Sequence, residues 1–168
     1  MIQVIETEFP DARIFVPDVF SDARGFFKET YARKKYAALG LDDEWVQDSV
    51  SRSRKHVLRG MHYDARMAKL VQCLDGRIFD VIVDLREHSP TFRRWQGFEL
   101  SADNHHQLYV PAGFAHGFLA LEDAVVHYKM SAHFDPAHER VLSWKDPGVG
   151  IAWPLTAEPI LSEKDANA

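Results

Sequence analysis

The segment from Phe79 to Leu85 alternates in polarity, and this pattern constrains the fold more than any other part of the chain. One side carries Phe79, Val81, Val83 and Leu85. The other side carries Asp80, Ile82 and Asp84. A period of two is typical of a β-strand with one buried face. Just before it, Asp75-Gly76 separates two apolar runs, which predicts a β-hairpin because these residues tolerate positive φ.

Similar patterns extend through most of the chain. From Trp45 onward they predict strands at residues 45–51, 57–63, 68–74, 77–85, 94–100, 106–110, 116–121, 124–131 and 138–144. Before that we expect extended pieces at residues 4–5 and 12–16, a strand at 26–31, and one short helix at 31–39 that ends at Gly40. Many short strands with Gly, Pro and Asp between them indicate a single all-β domain, a sandwich or barrel, over residues 1–168.

Composition excludes several classes of function. The formal net charge of −5 includes no basic surplus, so we expect no nucleic-acid partner. No stretch approaches the roughly 18 apolar residues of a membrane span, and we expect a soluble, cytoplasmic protein without a membrane partner. The single cysteine, Cys73, lies in an apolar run and is expected to be a small buried hydrophobic residue.

The motif Pro111-Ala-Gly-Phe-Ala-His116 resembles the second motif of the cupin superfamily, whose histidine is often a metal ligand. A metal site would also need a His-x-His pair and a carboxylate upstream. The corresponding region offers only His62, followed by Tyr63 and Asp64. We therefore expect neither a bound metal nor another cofactor.

A series of motifs in one order identifies a closer resemblance. The series comprises Asp22-x-Arg-Gly-x-Phe-x-Glu29, Leu58-Arg-Gly-Met-His-Tyr63, Ala68-Lys-Leu-Val71, residues 79–86, Ser89-Pro-Thr-Phe92, residues 111–118, Tyr128-Lys129, Pro136-x-His-Glu139, Trp153-Pro154 and Leu161-Ser-x-Lys-Asp165. Together they resemble the dTDP-4-dehydrorhamnose 3,5-epimerase family. The resemblance implies a double-stranded β-helix, a cupin-like jelly roll with short peripheral helices. It also implies a metal-independent isomerase of nucleoside-diphosphate-4-keto-6-deoxysugars, used in deoxysugar and polysaccharide synthesis.

The chemistry of such an epimerase assigns roles to four residues. Carbons 3 and 5 flank the C4 carbonyl, so their protons are weakly acidic, and inversion needs a base on one face and an acid on the other. The resemblance implies that His62 is the base and that Asp165 orients it. It further implies that Lys69 stabilises the enolate oxygen and that Tyr128 returns a proton from the opposite face.

The same resemblance implies a nucleotide site. Arg24 and Arg59 match arginines that contact the pyrophosphate, where a guanidinium can pair with two oxygens. Phe27, Glu29 and Gln47 match positions around the base. His116 matches a histidine near the sugar and phosphate. In the family the nucleotide lies where two subunits exchange N-terminal strands, so we expect a homodimer.

Three substrate-binding positions depart from the family pattern. Ser49 replaces an asparagine, Phe134 replaces a tyrosine near the sugar and phosphate, and Asp64 opens a shortened loop that lacks a glutamine. The lost amide and hydroxyl groups remove hydrogen bonds from the pocket. The substrate could therefore differ in sugar or base, or only one carbon could be inverted.

Several alternative functions remain open from the sequence. They are a 3,4-ketoisomerase, a single-site epimerase of a CDP- or GDP-linked 4-keto sugar, a sugar-nucleotide-binding cupin without turnover, and a metal-dependent cupin oxygenase. The joint presence of His62, Tyr128 and Asp165 favours an active epimerase, because a pure binding site would need neither a base nor an acid.

Overall fold

The computed structural model describes residues 1–168, which form thirteen short strands and two short helices. The strands are β1 (Gln3–Glu6), β2 (Arg13–Val16), β3 (Val19–Asp22), β4 (Gly25–Lys28), β5 (Gln47–Ser53), β6 (Leu58–Tyr63), β7 (Lys69–Asp75), β8 (Arg77–Asp84), β9 (Trp95–Ser101), β10 (Gln107–Val110), β11 (Phe114–Ala120), β12 (Ala124–Met130) and β13 (Arg140–Val141). The helices are α1 (Arg33–Ala37) and α2 (Glu163–Ala166). Neither helix has the length or the apolar character needed to cross a membrane.

The strands form two large antiparallel sheets and a separate hairpin. The six-stranded sheet has the order β1-β2-β10-β7-β12-β5, and the five-stranded sheet has the order β13-β6-β11-β8-β9. Strands β3 and β4 pair only with each other. From β5 onward, successive strands of the chain alternate between the two large sheets, except that β8 and β9 pair within the five-stranded sheet. The two sheets pack face to face. The predicted all-β jelly roll with short peripheral helices is confirmed.

The main core lies between the two sheets. It includes Leu108 and Val126 from the six-stranded sheet and Ile82, Leu100 and Phe118 from the five-stranded sheet, all at most 1% exposed. Full burial of such a side chain stabilises the fold by roughly 1.5–3 kcal/mol relative to exposure. This packing gives the neighbouring site residues a rigid support.

Strand β8 is buried on both faces, so the prediction of a single buried face is wrong. Its Val81 and Val83 side chains pack beneath a satellite cluster that includes Trp153. The opposite face, with Ile82, points into the main core. The alternation did not reveal this because the second cover comes from a distant C-terminal segment.

The predicted hairpin at Asp75-Gly76 is also wrong. Strand β7 lies in the six-stranded sheet and β8 lies in the five-stranded sheet, so the two strands joined by this turn do not pair. Gly76 has φ of 71°, and a Cβ there would lie 1.9 Å from the carbonyl oxygen of Asp123. The glycine is therefore required at a corner between sheets rather than in a two-stranded ribbon.

The remaining differences fall near the ends of the chain. The predicted helix at 31–39 is shorter, spanning Arg33–Ala37, and the predicted strand at 26–31 ends at Lys28. The strand Val19–Asp22 and the helix Glu163–Ala166 were not predicted. That helix begins at Ser162, whose side chain caps it by accepting a hydrogen bond from the Asp165 N–H.

Candidate active site

One cavity of about 640 Å³ opens between the two large sheets. Strands β5, β7 and β12 form one wall, strands β6 and β11 form the other, and the C-terminal segment closes one side. The cavity is lined by nine of the twelve predicted site residues, which are Gln47, Ser49, Arg59, His62, Lys69, His116, Tyr128, Phe134 and Asp165.

His62 and Asp165 form the most direct side-chain pair in the cavity. Nε2 of His62 lies 2.5 Å from Oδ1 of Asp165, while the His62 side chain keeps 28% of its surface exposed. Nδ1 of His62 is 3.7 Å from a carboxylate oxygen of Glu139. When Asp165 accepts a hydrogen bond from Nε2–H, the lone pair of the neutral ring is on Nδ1. Nδ1 is then the atom able to take a proton.

Asp165 is buried and held from three directions. Its side chain is 3% exposed, and its second oxygen accepts a hydrogen bond from the Gly60 N–H at 3.4 Å. Its own N–H donates to the Ser162 hydroxyl at 3.1 Å. The carboxylate is therefore fixed by both the helix cap and strand β6, although it lies in a four-residue helix.

Lys69 is the one lysine with a strongly desolvated ammonium group in the cavity. Burial lowers the pKa of Lys69, while the carboxylates of Glu139, Asp80 and Asp64 oppose that shift. Its ammonium group makes no salt bridge within 4 Å and no side-chain hydrogen bond. The positive charge is thus available to a negatively charged atom of a ligand.

Tyr128 faces the cavity from strand β12. Its hydroxyl lies 2.8 Å from the Ser51 hydroxyl, and its ring meets the His116 ring edge to face at a centroid distance of 6.2 Å. Burial raises the pKa of the Tyr128 phenol, outweighing the opposite effect of the Ser51 hydrogen bond. The phenol is therefore protonated at neutral pH, as a proton donor must be.

His116 belongs to a second histidine–carboxylate pair, deeper than the first. Its Nε2 lies 2.6 Å from Oδ1 of Asp80, and both side chains are at most 4% exposed. The second oxygen of Asp80 has no hydrogen-bond partner. The carboxylate thus orients His116 from the interior and leaves the rest of its ring towards the cavity.

Four predicted substrate-binding residues lie at the outer part of the cavity. Arg59 is held by the Ser53 hydroxyl at 2.9 Å. Gln47 donates to the Ser49 hydroxyl at 3.2 Å and accepts from the Phe134 N–H at 3.0 Å. Phe134 is 51% exposed, which leaves its ring available as a flat stacking surface.

Arg24, Phe27 and Glu29 lie outside this cavity. All three are carried by or directly follow the β3–β4 hairpin. Arg24 pairs with Asp22, Phe27 is 70% exposed, and Glu29 pairs with Lys35 at 2.9 Å. Within one chain, these three predicted nucleotide-binding residues do not lie beside the nine predicted site residues that line the cavity.

The structure adds residues to which the sequence assigned no role. Glu139 approaches His62 and is contacted by Lys164, Asp80 orients His116, and Ser51 contacts Tyr128. Asp80, Glu139 and Lys164 stand in three of the motifs quoted above, so their motif positions were the available signal, whereas Ser51 stands in none. No group of three or more His, Cys, Asp or Glu side chains has the arrangement that could hold a metal ion.

Comparison with known proteins gives the family. The family model described as dTDP-4-dehydrorhamnose 3,5-epimerase matches residues 6–168. The chain belongs to the dTDP-4-dehydrorhamnose 3,5-epimerase family. This confirms the predicted family and the enzyme class, an isomerase that acts on carbohydrates.

Individual members of this epimerase family match the sequence over nearly the whole chain. The dTDP-4-dehydrorhamnose 3,5-epimerase of Shigella flexneri is 47% identical over 171 residues, covering 99% of this chain and 94% of the relative. The epimerase of Neisseria gonorrhoeae is also 47% identical over 98% of this chain, but the match spans only 51% of that relative's length. A crystal structure of dTDP-6-deoxy-D-glucose-3,5-epimerase from Legionella pneumophila, in complex with dTDP-4-keto-L-rhamnose, superposes with a TM-score of 0.97 at 43% identity, covering 100% of this chain and 92% of that chain.

Proposed function

We propose that the protein inverts C3 and C5 of a dTDP-linked 4-keto-6-deoxyglucose, converting it towards dTDP-4-dehydrorhamnose. One observation carries the proposal: the histidine–carboxylate pair and the protonated phenol approach one cavity from opposite sheets. His62 lies on β6 of the five-stranded sheet, and Tyr128 lies on β12 of the six-stranded sheet. A base and an acid on opposite faces of a sugar ring are what inversion of a carbon requires.

The proposed reaction proceeds through an enolate. Nδ1 of His62 takes the proton from the carbon beside the ketone, and Asp165 stabilises the resulting imidazolium through Nε2–H. The C4 oxygen gains negative charge, which the unpaired ammonium of Lys69 offsets. Tyr128 then gives its proton to the carbon from the other side, and the enolate returns to the ketone. This chemistry moves protons only, so we propose that it uses no cofactor or metal.

The nucleotide is proposed to extend from the sugar towards the outer part of the cavity. Arg59 supplies positive charge for the pyrophosphate, and His116 supplies a hydrogen-bonding ring nitrogen for the sugar and phosphate. Gln47 and Ser49 offer hydrogen bonds to the base, and Phe134 offers a stacking surface. A phenylalanine can stack as a tyrosine does, so its loss of a hydroxyl is compatible with nucleotide binding.

We further propose that the site is completed by the second subunit of a homodimer. The β3–β4 hairpin is paired with neither large sheet and exposes Phe20, Phe26 and Phe27. Strand β5, which lines the cavity, is an unpaired edge of the six-stranded sheet, and its Val50 is 63% exposed. A partner's hairpin added at this edge would bury these apolar side chains and bring Arg24, Phe27 and Glu29 to the cavity.

The decisive experiment is incubation with dTDP-4-keto-6-deoxyglucose in deuterated water, with incorporation read at each carbon by NMR. Deuterium at both C3 and C5 is the expected result. Deuterium at one carbon only would make the protein a single-site epimerase. No incorporation would contradict the proposal, and repetition with CDP- and GDP-linked 4-keto sugars, together with metal analysis, would then separate a different substrate from a ketoisomerase, a binding protein or a metal-dependent oxygenase.

A further inference from the structure

The cavity-facing side of strand β5 is polar at every position. Most inward-facing strand positions in this fold are apolar, but this row consists of Gln47, Ser49 and Ser51, which line the cavity, and Ser53, which follows on the same side of the strand. Strand β5 pairs along its length with β12, and Ser49 and Ser51 lie opposite Tyr128 and Val126, respectively. The row therefore faces the proposed proton donor and its immediate surroundings.

Two serines of this row contact different parts of the site. Ser53 accepts a hydrogen bond from the Arg59 side chain at 2.9 Å, and Ser51 contacts the Tyr128 hydroxyl at 2.8 Å. The first contact orients a residue proposed to bind pyrophosphate. The second contact orients the residue proposed to transfer a proton. Two serines on the same side of one strand thus contact residues that have separate proposed roles in binding and proton transfer.

We propose that Ser51 is the positioning residue for the proton donor Tyr128. The inference rests on the proposed epimerase function and extends it to a residue that does not touch the reacting carbon. When Tyr128 gives its proton to the sugar carbon, its O–H bond breaks, a C–H bond forms, and a phenolate remains. The Ser51 O–H then donates a hydrogen bond to that phenolate, which is afterwards reprotonated from solvent.

The surroundings of Tyr128 make this donor necessary. The phenol is mostly buried, and burial raises its pKa, so an unassisted phenolate would form at a high energetic cost. Ser51 is the only side chain that hydrogen-bonds to its hydroxyl, and His116 contacts Tyr128 only through the two rings. The hydrogen bond to Ser51 also fixes the direction of the Tyr128 O–H bond before the reaction. Without it, the O–H bond could rotate away from the sugar carbon.

The test compares Ser51→Ala with Ser51→Thr and Ser53→Ala. In deuterated water, Ser51→Ala should lower product formation about tenfold, the scale of one lost hydrogen bond to a charged group. Deuterium should still enter unconverted substrate at a rate within about twofold of the wild-type rate, since His62 performs that step. The ratio of exchange to product therefore rises. Ser51→Thr, which keeps the hydroxyl, should return this ratio to the wild-type value. Ser53→Ala should raise KM and leave the ratio unchanged.

A second measurement does not depend on turnover. In protein labelled with ¹³Cζ-tyrosine, the Tyr128 resonance, assigned by its absence in Tyr128→Phe, should shift in Ser51→Ala at neutral pH and stay in place in Ser53→Ala. An unmoved resonance, or equal losses of exchange and product, would overturn the role proposed for Ser51 and leave the proposed epimerase function standing. A wild-type protein that incorporates no deuterium would overturn the proposed function, and the inference would fall with it.

Discussion

The Nε2 atom of His62 lies 2.5 Å from Oδ1 of Asp165, although 103 positions of the chain separate the two residues. The pair exists because the C-terminal segment returns along strand β6, where Ile160 forms a parallel bridge with Val57. A cap at Ser162 then turns Asp165 inwards. The proposed base thus depends on a contact that no local sequence pattern contains.

The first prediction concerns Asp165→Asn. An amide cannot stabilise the imidazolium as a carboxylate does, and it can favour the wrong ring tautomer, so kcat should fall by about 10²-fold or more. Calorimetric titration with dTDP should show near-normal binding. Glu163→Gln, a change at an exposed carboxylate of the same helix, is the matched control. Unchanged turnover in Asp165→Asn would remove the C-terminal segment from the site.

The second prediction separates the two proton transfers. Tyr128→Phe should permit deuterium to enter the substrate while lowering the amount of epimerised product by about 10²-fold or more. The enolate can still form at His62, but it regains its proton from the side on which it was lost. NMR of the sugar resonances distinguishes labelled substrate from product. Full product formation would place the acid elsewhere.

The third prediction concerns the charge of Lys69. Lys69→Met should lower kcat by roughly 10²–10³-fold, the usual effect of losing one group that stabilises an oxyanion. Burial lowers the pKa of this ammonium, so its charge is complete below that lowered pKa, and kcat should fall as pH rises through it. Lys69→Arg should retain charge and move this loss to higher pH. Lys129→Met, which removes a lysine paired with Asp48 on the same sheet, serves as control.

The fourth prediction tests whether two subunits share a site. His62→Ala and Arg24→Glu homodimers should each turn over poorly at low substrate concentration. A heterodimer of the two variants contains one site with a native cavity and a native hairpin, so co-expression should recover activity. Isolation of the heterodimer by two affinity tags makes the comparison direct. An isolated heterodimer without recovery would show that Arg24 acts within its own chain, whereas a fully active Arg24→Glu homodimer would show that Arg24 has no role in turnover.

The fifth prediction concerns stability. Asp84 is fully buried and accepts hydrogen bonds from Arg86 at 2.9 Å, Ser89 at 2.5 Å and Thr91 at 2.7 Å. Asp84→Asn should lower the free energy of unfolding by about 2–4 kcal/mol in urea titrations, because the negative charge beside Arg86 is lost and an NH2 group, which cannot accept a hydrogen bond, replaces one carboxylate oxygen. Asp11→Asn, at the exposed partner of Arg86, should cost at most about 1 kcal/mol. Equal effects would show that Asp84 is not the centre of this network.

The same network also predicts how the stability of the fold depends on pH. Burial raises the pKa of Asp84, but the hydrogen bonds from Arg86, Ser89 and Thr91 outweigh it and hold the pKa below the ordinary value. Its stabilising effect is therefore complete above the unfolded pKa of about 4 and is lost as pH falls towards the folded value. Stability of the Asp84→Asn variant should vary less with pH across that acidic range.

The sequence predicted the parts of the fold that depend on neighbouring residues. Alternation located the strands from β5 onward to within a few residues, since side chains of a strand point to opposite sides. Alternation could not show that β7 and β8 enter different sheets, because a glycine turn suits either arrangement. It also could not show the second cover of β8, which comes from residues about 70 positions further along, such as Trp153.

The candidate site likewise has parts that the sequence predicted and parts that depend on long-range contacts. Ordered motifs indicated His62, Lys69, Tyr128 and Asp165, and all four line one cavity. The contacts that orient side chains, such as Asp80 with His116 and Ser51 with Tyr128, were not assigned because they arise from pairing between strands rather than from spacing along the chain. The place of Arg24 remains a prediction, since it depends on a second subunit.

The placement of His62 and Tyr128 on opposing sheets has a consequence for how the protein could be altered. The gap between the two groups is set by the thickness of the interior, which is packed as tightly as a crystal and transmits small changes of volume. Residues such as Leu108 and Ile82, which lie in the main core and do not line the cavity, hold the two sheets apart at this distance. A methylene group added or removed there would change the stereochemical balance between returning a proton to its original face and delivering one to the other.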